Sequence, residues 1–159
     1  MKEEEKSLFE SIYPNFEKLD IYLGNDVRKK ITKLAKKEGE ILKGLLKGIA
    51  IYNRKSQELV INVLGVINCS KYRDEDFVEY ASKLSDKSKS VSKSHFIIYE
   101  GILGFVVPIQ ECKEMEIMKY SALHDVFLEK IHAYAICMVI DKNSNHAFIK
   151  PDGTILFEQ

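Results

Sequence analysis

The chain has 159 residues, 45% of them hydrophobic and 30% charged, with 24 basic and 24 acidic side chains. That composition excludes a disordered chain and a strongly basic nucleic-acid binder, and the length is that of one ordinary domain. The sequence holds no run of about 18 apolar residues, so no membrane-spanning helix is expected.

The first residues, MKEEEKSLFESIYPNF, lack the apolar centre of a secretory signal, and a cytoplasmic protein is expected. Cys69, Cys112 and Cys137 are odd in number and widely spaced. That spacing offers no thiolate metal site, and free thiols in a reducing compartment are the expectation. Lys, Ile, Asn and Tyr have AT-rich codons. Their abundance, with no Trp, suggests an AT-rich bacterial or phage genome.

In chain order, residues 3–12 read as a short helix, broken before Pro14. Asn25 is then a plausible N-cap, and Val27, Ile31, Leu34, Ala35, Ile41, Leu42, Leu45 and Leu46 make one apolar stripe. The stripe predicts a helix from 25 to 47 that runs through Gly39 and ends at Gly48. The segment GIAIYN, the turn RKSQ and the segment ELVINVLGVIN read as a hairpin. Ser70 or Asp74 opens a second amphipathic helix with Phe77, Val78, Ala81 and Leu84 turned inward. The Ser/Lys-rich stretch 82–94 reads as a solvated loop.

HFIIYEGILGFVVPIQ reads as two strands, with Gly101 or Gly104 at a turn or bulge. Residues 112–131 read as a helix, and the chain closes on a three-strand meander with a PDG turn. The expected fold is one α+β domain spanning 1–159. Its sheet is mostly antiparallel, built from hairpins and the C-terminal three-strand meander, and three to four helices pack it.

Chemical signatures are sparse. The four histidines lack metal-ligand spacing, and His124 beside Asp125 on a helix is no dyad, because neighbours point about 100° apart. His124 shares a stripe with Ile117, Tyr120, Leu128 and Ile131, which predicts a buried, hydrogen-bonded histidine. The pattern implies no catalytic set, metal or cofactor.

A long helix, a hairpin, NVLGVINCSKY, a further helix and FIIYEG together resemble the element order of restriction-endonuclease-like cores. That resemblance implies a Mg²⁺ site of strand carboxylates, but the expected positions hold Asn62 and Asn68, with only Glu58 and Lys71 nearby. An amide is a poor substitute for a carboxylate ligand, so the resemblance implies an inactive domain.

Charge is segregated instead. Residues 25–48 carry eight basic and three acidic side chains. Lys29, Lys30, Lys33, Lys36, Lys37, Lys43 and Lys47 flank the apolar stripe, without the aromatic anchors of a membrane-surface helix or the base-reading groups of a nucleic-acid binder. The lysines therefore read as a solvated face.

The segment KYRDEDFVEY offers the opposite charge. Tyr72, Glu75, Asp76, Glu79 and Tyr80 form a candidate partner-binding patch, since tyrosines beside carboxylates are typical of interface anchors and rims. Glu111, Glu114 and Glu116 would extend it if the fold brings them near. The expectation is a non-enzymatic protein, monomer or weak dimer, that binds another, cationic protein. An immunity-protein or antitoxin-like toxin inhibitor is its most concrete form. A small-molecule sensor with a pocket lined by Tyr52, Tyr99 or His132 is the alternative, beside the inactive nuclease-like domain.

Overall fold

A computed structural model describes residues 15–158. The helix expected over 3–12 lies outside those residues. The described chain combines one eight-stranded sheet, curved into a half-barrel, with three helices of ten residues or more. In order these are β1 (Lys18–Leu23), α1 (Asn25–Glu38), β2 (Gly44–Asn53), β3 (Glu58–Asn68), α2 (Asp74–Ser85), β4 (Lys89–Lys93) and β5 (Phe96–Pro108). They continue as the single-turn α3 (Glu114–Ile117), α4 (Ser121–Lys130), β6 (Ile136–Ile140), β7 (His146–Ile149) and β8 (Ile155–Phe157).

The strand order is β1-β3-β2-β5-β6-β7-β8, with β4 also on β5. The sheet is mixed, which corrects the expected mostly antiparallel arrangement. β1 runs parallel to β3, and β5 parallel to β6. Both parallel pairs need a crossover: residues 24–57, with α1 and β2, connect β1 to β3, and residues 109–135, with α3 and α4, connect β5 to β6. The hairpin β2–β3 and the meander β6–β7–β8 are antiparallel, as expected.

The long helix expected over 25–47 stops at Glu38. Gly39 has φ 59° and its N–H bonds to Ala35 O, so it caps the helix in a conformation that a side chain disfavours. Leu45 and Leu46 then lie in β2 on opposite sheet faces, and Gly24, not Asn25, is the N-cap. The expected two strands over 96–108 are one strand, with a register shift opposite Gly104. A Cβ on Gly104 would meet the Ile136 carbonyl, so glycine is what lets β5 and β6 approach. The 112–131 helix is broken into α3, a 3₁₀ turn over Met118–Tyr120, and α4. β1 and β4 were not expected as strands.

The two sheet faces carry two cores. α1 buries Val27 and Ile31 on one face, against Leu46, Ala50, Leu59, Ile61 and Phe148. On the other, α2 and α4 bury Phe77, Ala81 and Phe127 against Leu45, Phe105, Cys137 and Ala147. Phe77, Phe105 and Phe127 form one aromatic nucleus, with ring centroids 4.5–6.4 Å apart. No helix among the described residues is long and apolar enough to cross a membrane.

Candidate functional site

Phe77 and Ala81 are fully buried, and their helical spacing turns one face of α2 inward. That leaves Glu75, Asp76 and Glu79 exposed on the outer side, with Tyr80 partly buried at the boundary. Three acids in the first turn also suit the helix macrodipole. The loop before α2 is pinned: the Ser70 hydroxyl donates to Asn68 Oδ1 at 2.6 Å, and Lys43 N–H donates to Ser70 Oγ at 3.1 Å.

Lys43 holds the next turn from the other side. Its Nζ donates to the Tyr72 carbonyl at 2.8 Å and pairs with Asp74 Oδ1 at 2.9 Å. Tyr72, 38% exposed, thereby stacks on Tyr80 with centroids 5.1 Å apart and planes 18° from parallel. Glu79 pairs with Lys83 at 3.6 Å across one exposed helical turn. Glu75 and Asp76 make no ion pair among the described residues. The five expected residues therefore share one small surface: a stacked tyrosine pair beside two unpaired carboxylates.

The segment 111–120 borders that surface. Tyr120 donates to the Pro108 carbonyl at 2.6 Å, and its hydroxyl pKa is raised by burial first, then by Cys137, Asp74 and Glu116. One tyrosine thus feels a carboxylate of the α2 first turn and a carboxylate of α3. Glu111 is tied to Lys113 at 2.7 Å, and Glu116 accepts from the Glu111 N–H. Met115, 85% exposed, and Met118 add apolar surface here that charge counting overlooked.

The residues expected of a sensor pocket do meet. Tyr52, Tyr134, His132 and Tyr99 form a chain of rings with successive centroids 5.8, 5.1 and 3.6 Å apart. Their polar atoms bond inward. Tyr99 donates to the Ile102 carbonyl, Tyr52 to the Asn15 carbonyl, and the His132 Nδ1 accepts from Tyr134 N–H. Burial lowers the His132 pKa to about 4, so the ring is neutral at pH 7. The rings pack on one another, and the three tyrosines are buried.

The carboxylate-replacing asparagines do not converge. Asn62 is an exposed mid-strand residue on β3, whereas Asn68 bonds Ser70 and Glu38 at the strand end. Among the described residues, no three His, Cys, Asp or Glu side chains gather closely enough for a metal. His124 is the buried histidine the stripe predicts, with Nε2 2.8 Å from the Ala135 carbonyl. The three cysteines are free.

No protein-family profile matches the chain, and no curated protein is similar to it in sequence. The functional reading therefore rests on the surface itself.

Proposed function

We propose that the protein is a non-enzymatic protein-binding domain, with the α2 surface as its recognition site for a cationic partner. An immunity-protein or antitoxin-like inhibitor is the concrete form of this reading. One observation carries it: the Tyr72–Tyr80 stack, fixed by Lys43, beside the unpaired Glu75 and Asp76. Stacked, pre-positioned tyrosines offer apolar area at low entropic cost, and unpaired carboxylates steer a positive partner.

Capture of the partner, followed by binding kinetics, tests this. Charge reversal at Asp76 and Glu79 should slow association about tenfold at low salt and leave dissociation nearly unchanged. Tyr80→Ala should instead speed dissociation, costing about 2 kcal/mol or more if it anchors the contact. If neither rate moves in either variant, the surface is only a well-packed helix start.

The sensor reading keeps one observation of its own, the ring chain from Tyr52 to Tyr99. A ligand there would have to part packed rings, and ligand-dependent quenching of tyrosine fluorescence that disappears in His132→Ala would establish it.

A further inference from the structure

Tyr80 covers one face of the Tyr72 ring, 5.1 Å away and 18° from parallel, yet Tyr72 remains 38% exposed. Its backbone is held in place, since Lys43 Nζ binds the Tyr72 carbonyl at 2.8 Å and Asp74 Oδ1 at 2.9 Å. Asp76 precedes Tyr80 by four residues in α2, so the two share one flank of the helix. A helical side chain leans towards the N-terminus, which aims Tyr80 at the turn that carries Asp76. Glu75 lies farther off, about 140° round the helix from Tyr80.

The chain's own cations leave Asp76 free. Lys43 is bound to Asp74, and Lys83 to Glu79 at 3.6 Å. Lys71 and Arg73 are exposed on either side of Tyr72 and pair with no carboxylate among the described residues. Arg73 is extended, with φ −70° and ψ 161°, and in extended chain successive side chains point to opposite sides. An exposed ring, already stacked on its other face, therefore stands beside an exposed carboxylate with no partner of its own.

We propose that this corner receives an arginine side chain of the cationic partner, with the guanidinium flat on the outer face of Tyr72 and its N–H groups donating to the Asp76 carboxylate. The inference rests on the reading of α2 as a recognition surface and names the group recognised there. A guanidinium is planar, weakly hydrated and forked, so it stacks on a ring and pairs with a carboxylate at once. A lysine ammonium is compact and strongly hydrated, and it lacks the flat face. Both tyrosines are ordered before the partner arrives, so little side-chain freedom is lost on contact.

NMR titration of the full chain with a capped Gly-Arg-Gly peptide, beside its Gly-Lys-Gly counterpart at equal concentration, tests this. The arginine peptide should shift the ring signals of Tyr72 and Tyr80 and the amide of Asp76, saturating with a dissociation constant on the order of 10 mM. The lysine peptide should bind about threefold or more weakly, and Tyr72→Leu and Asp76→Asn should each weaken the arginine peptide by a similar factor. Tyr72→Phe should keep the response, because the ring and not the hydroxyl meets the guanidinium. Equal binding of the two peptides, or arginine binding undiminished in Tyr72→Leu, would overturn the proposal. So would ring signals that stay unmoved up to about 50 mM peptide. If they stay unmoved while partner dissociation still depends on Tyr80, the arginine contact is wrong and the recognition surface stands. Arginine-selective shifts at the two rings, with partner kinetics indifferent to Asp76 and Tyr80, would uphold the arginine site and remove the partner from it.

Discussion

His132 is the histidine whose environment departs most from its chemistry in water. It stacks on Tyr99 at 3.6 Å, and burial holds its pKa at about 4, below the ordinary value near 6.5. Burial lowers His124 and His146 as well. A histidine with a depressed folded-state pKa binds fewer protons folded than unfolded. Its contribution to stability is therefore complete above about pH 6.5, and it is lost as pH falls from there towards about 4. Urea unfolding midpoints should drop between pH 7.5 and pH 4.5. His132→Phe, which keeps a ring on Tyr99, should flatten that slope; His132 alone accounts for up to about 3 kcal/mol of it. A slope unchanged in the variant would mean that His132 takes its proton freely. The sequence made His124 legible because its neighbours at helical spacing are apolar. It offered His132 as a pocket-lining candidate beside Tyr52 and Tyr99, but not its burial against Tyr99, which depends on β4 and β6 meeting the same edge of β5.

At the scale of elements, Gly39 separates two readings by the sign of one substitution. In mid-helix, Gly39→Ala would stabilise by up to about 1 kcal/mol. At a C-cap with φ 59° it should destabilise by about 1 kcal/mol, because no clash but the backbone conformation itself is the obstacle. Chemical denaturation of that single variant checks it. Gly104→Ala should cost more, about 3 kcal/mol or above, because its Cβ would meet the Ile136 backbone and force β5 from β6. The helical stripe ran past Gly39 because Leu42, Leu45 and Leu46 keep the same phase by chance. In the folded chain Leu42 is buried just ahead of β2, and Leu45 and Leu46 are buried at its start, one in each core. β4 was hidden for the opposite reason. Four of its five residues are Ser or Lys and all five are exposed, with Val91 the lone apolar one, so only pairing with β5 makes it a strand. The α2 surface was legible because its inward and outward residues follow one short, uninterrupted helical period. The Met115 and Met118 edge was not, since the helix expected there is broken.

At the scale of the molecule, the sheet separates the charges. α1 packs on one face and presents Lys29, Lys30, Lys33, Lys36 and Lys37 to solvent. α2 packs on the other and presents Glu75, Asp76 and Glu79. A chain of zero formal charge thus presents a basic helix on one face and an acidic helix on the other, so the two sides differ in the sign of charge they show to an approaching molecule. If the acidic side is the recognition surface proposed above, association there should slow as salt rises, since exposed charges act beyond contact only within about 10 Å at 0.1 M salt. The lysine side should retain only loose, sequence-independent affinity for DNA or RNA, falling steeply with salt as counterions are released. Lys33→Glu with Lys37→Glu should remove that residual binding. The same pair should leave association with the protein partner unchanged or slightly faster, because the change makes the whole molecule more negative without touching α2. Titrations with random-sequence duplexes at about 50 and 200 mM salt, beside partner kinetics in the same buffers, measure both sides at once. Tight, sequence-specific binding that survives the higher salt would make the lysine face a true reader and would reverse the assignment of the two sides.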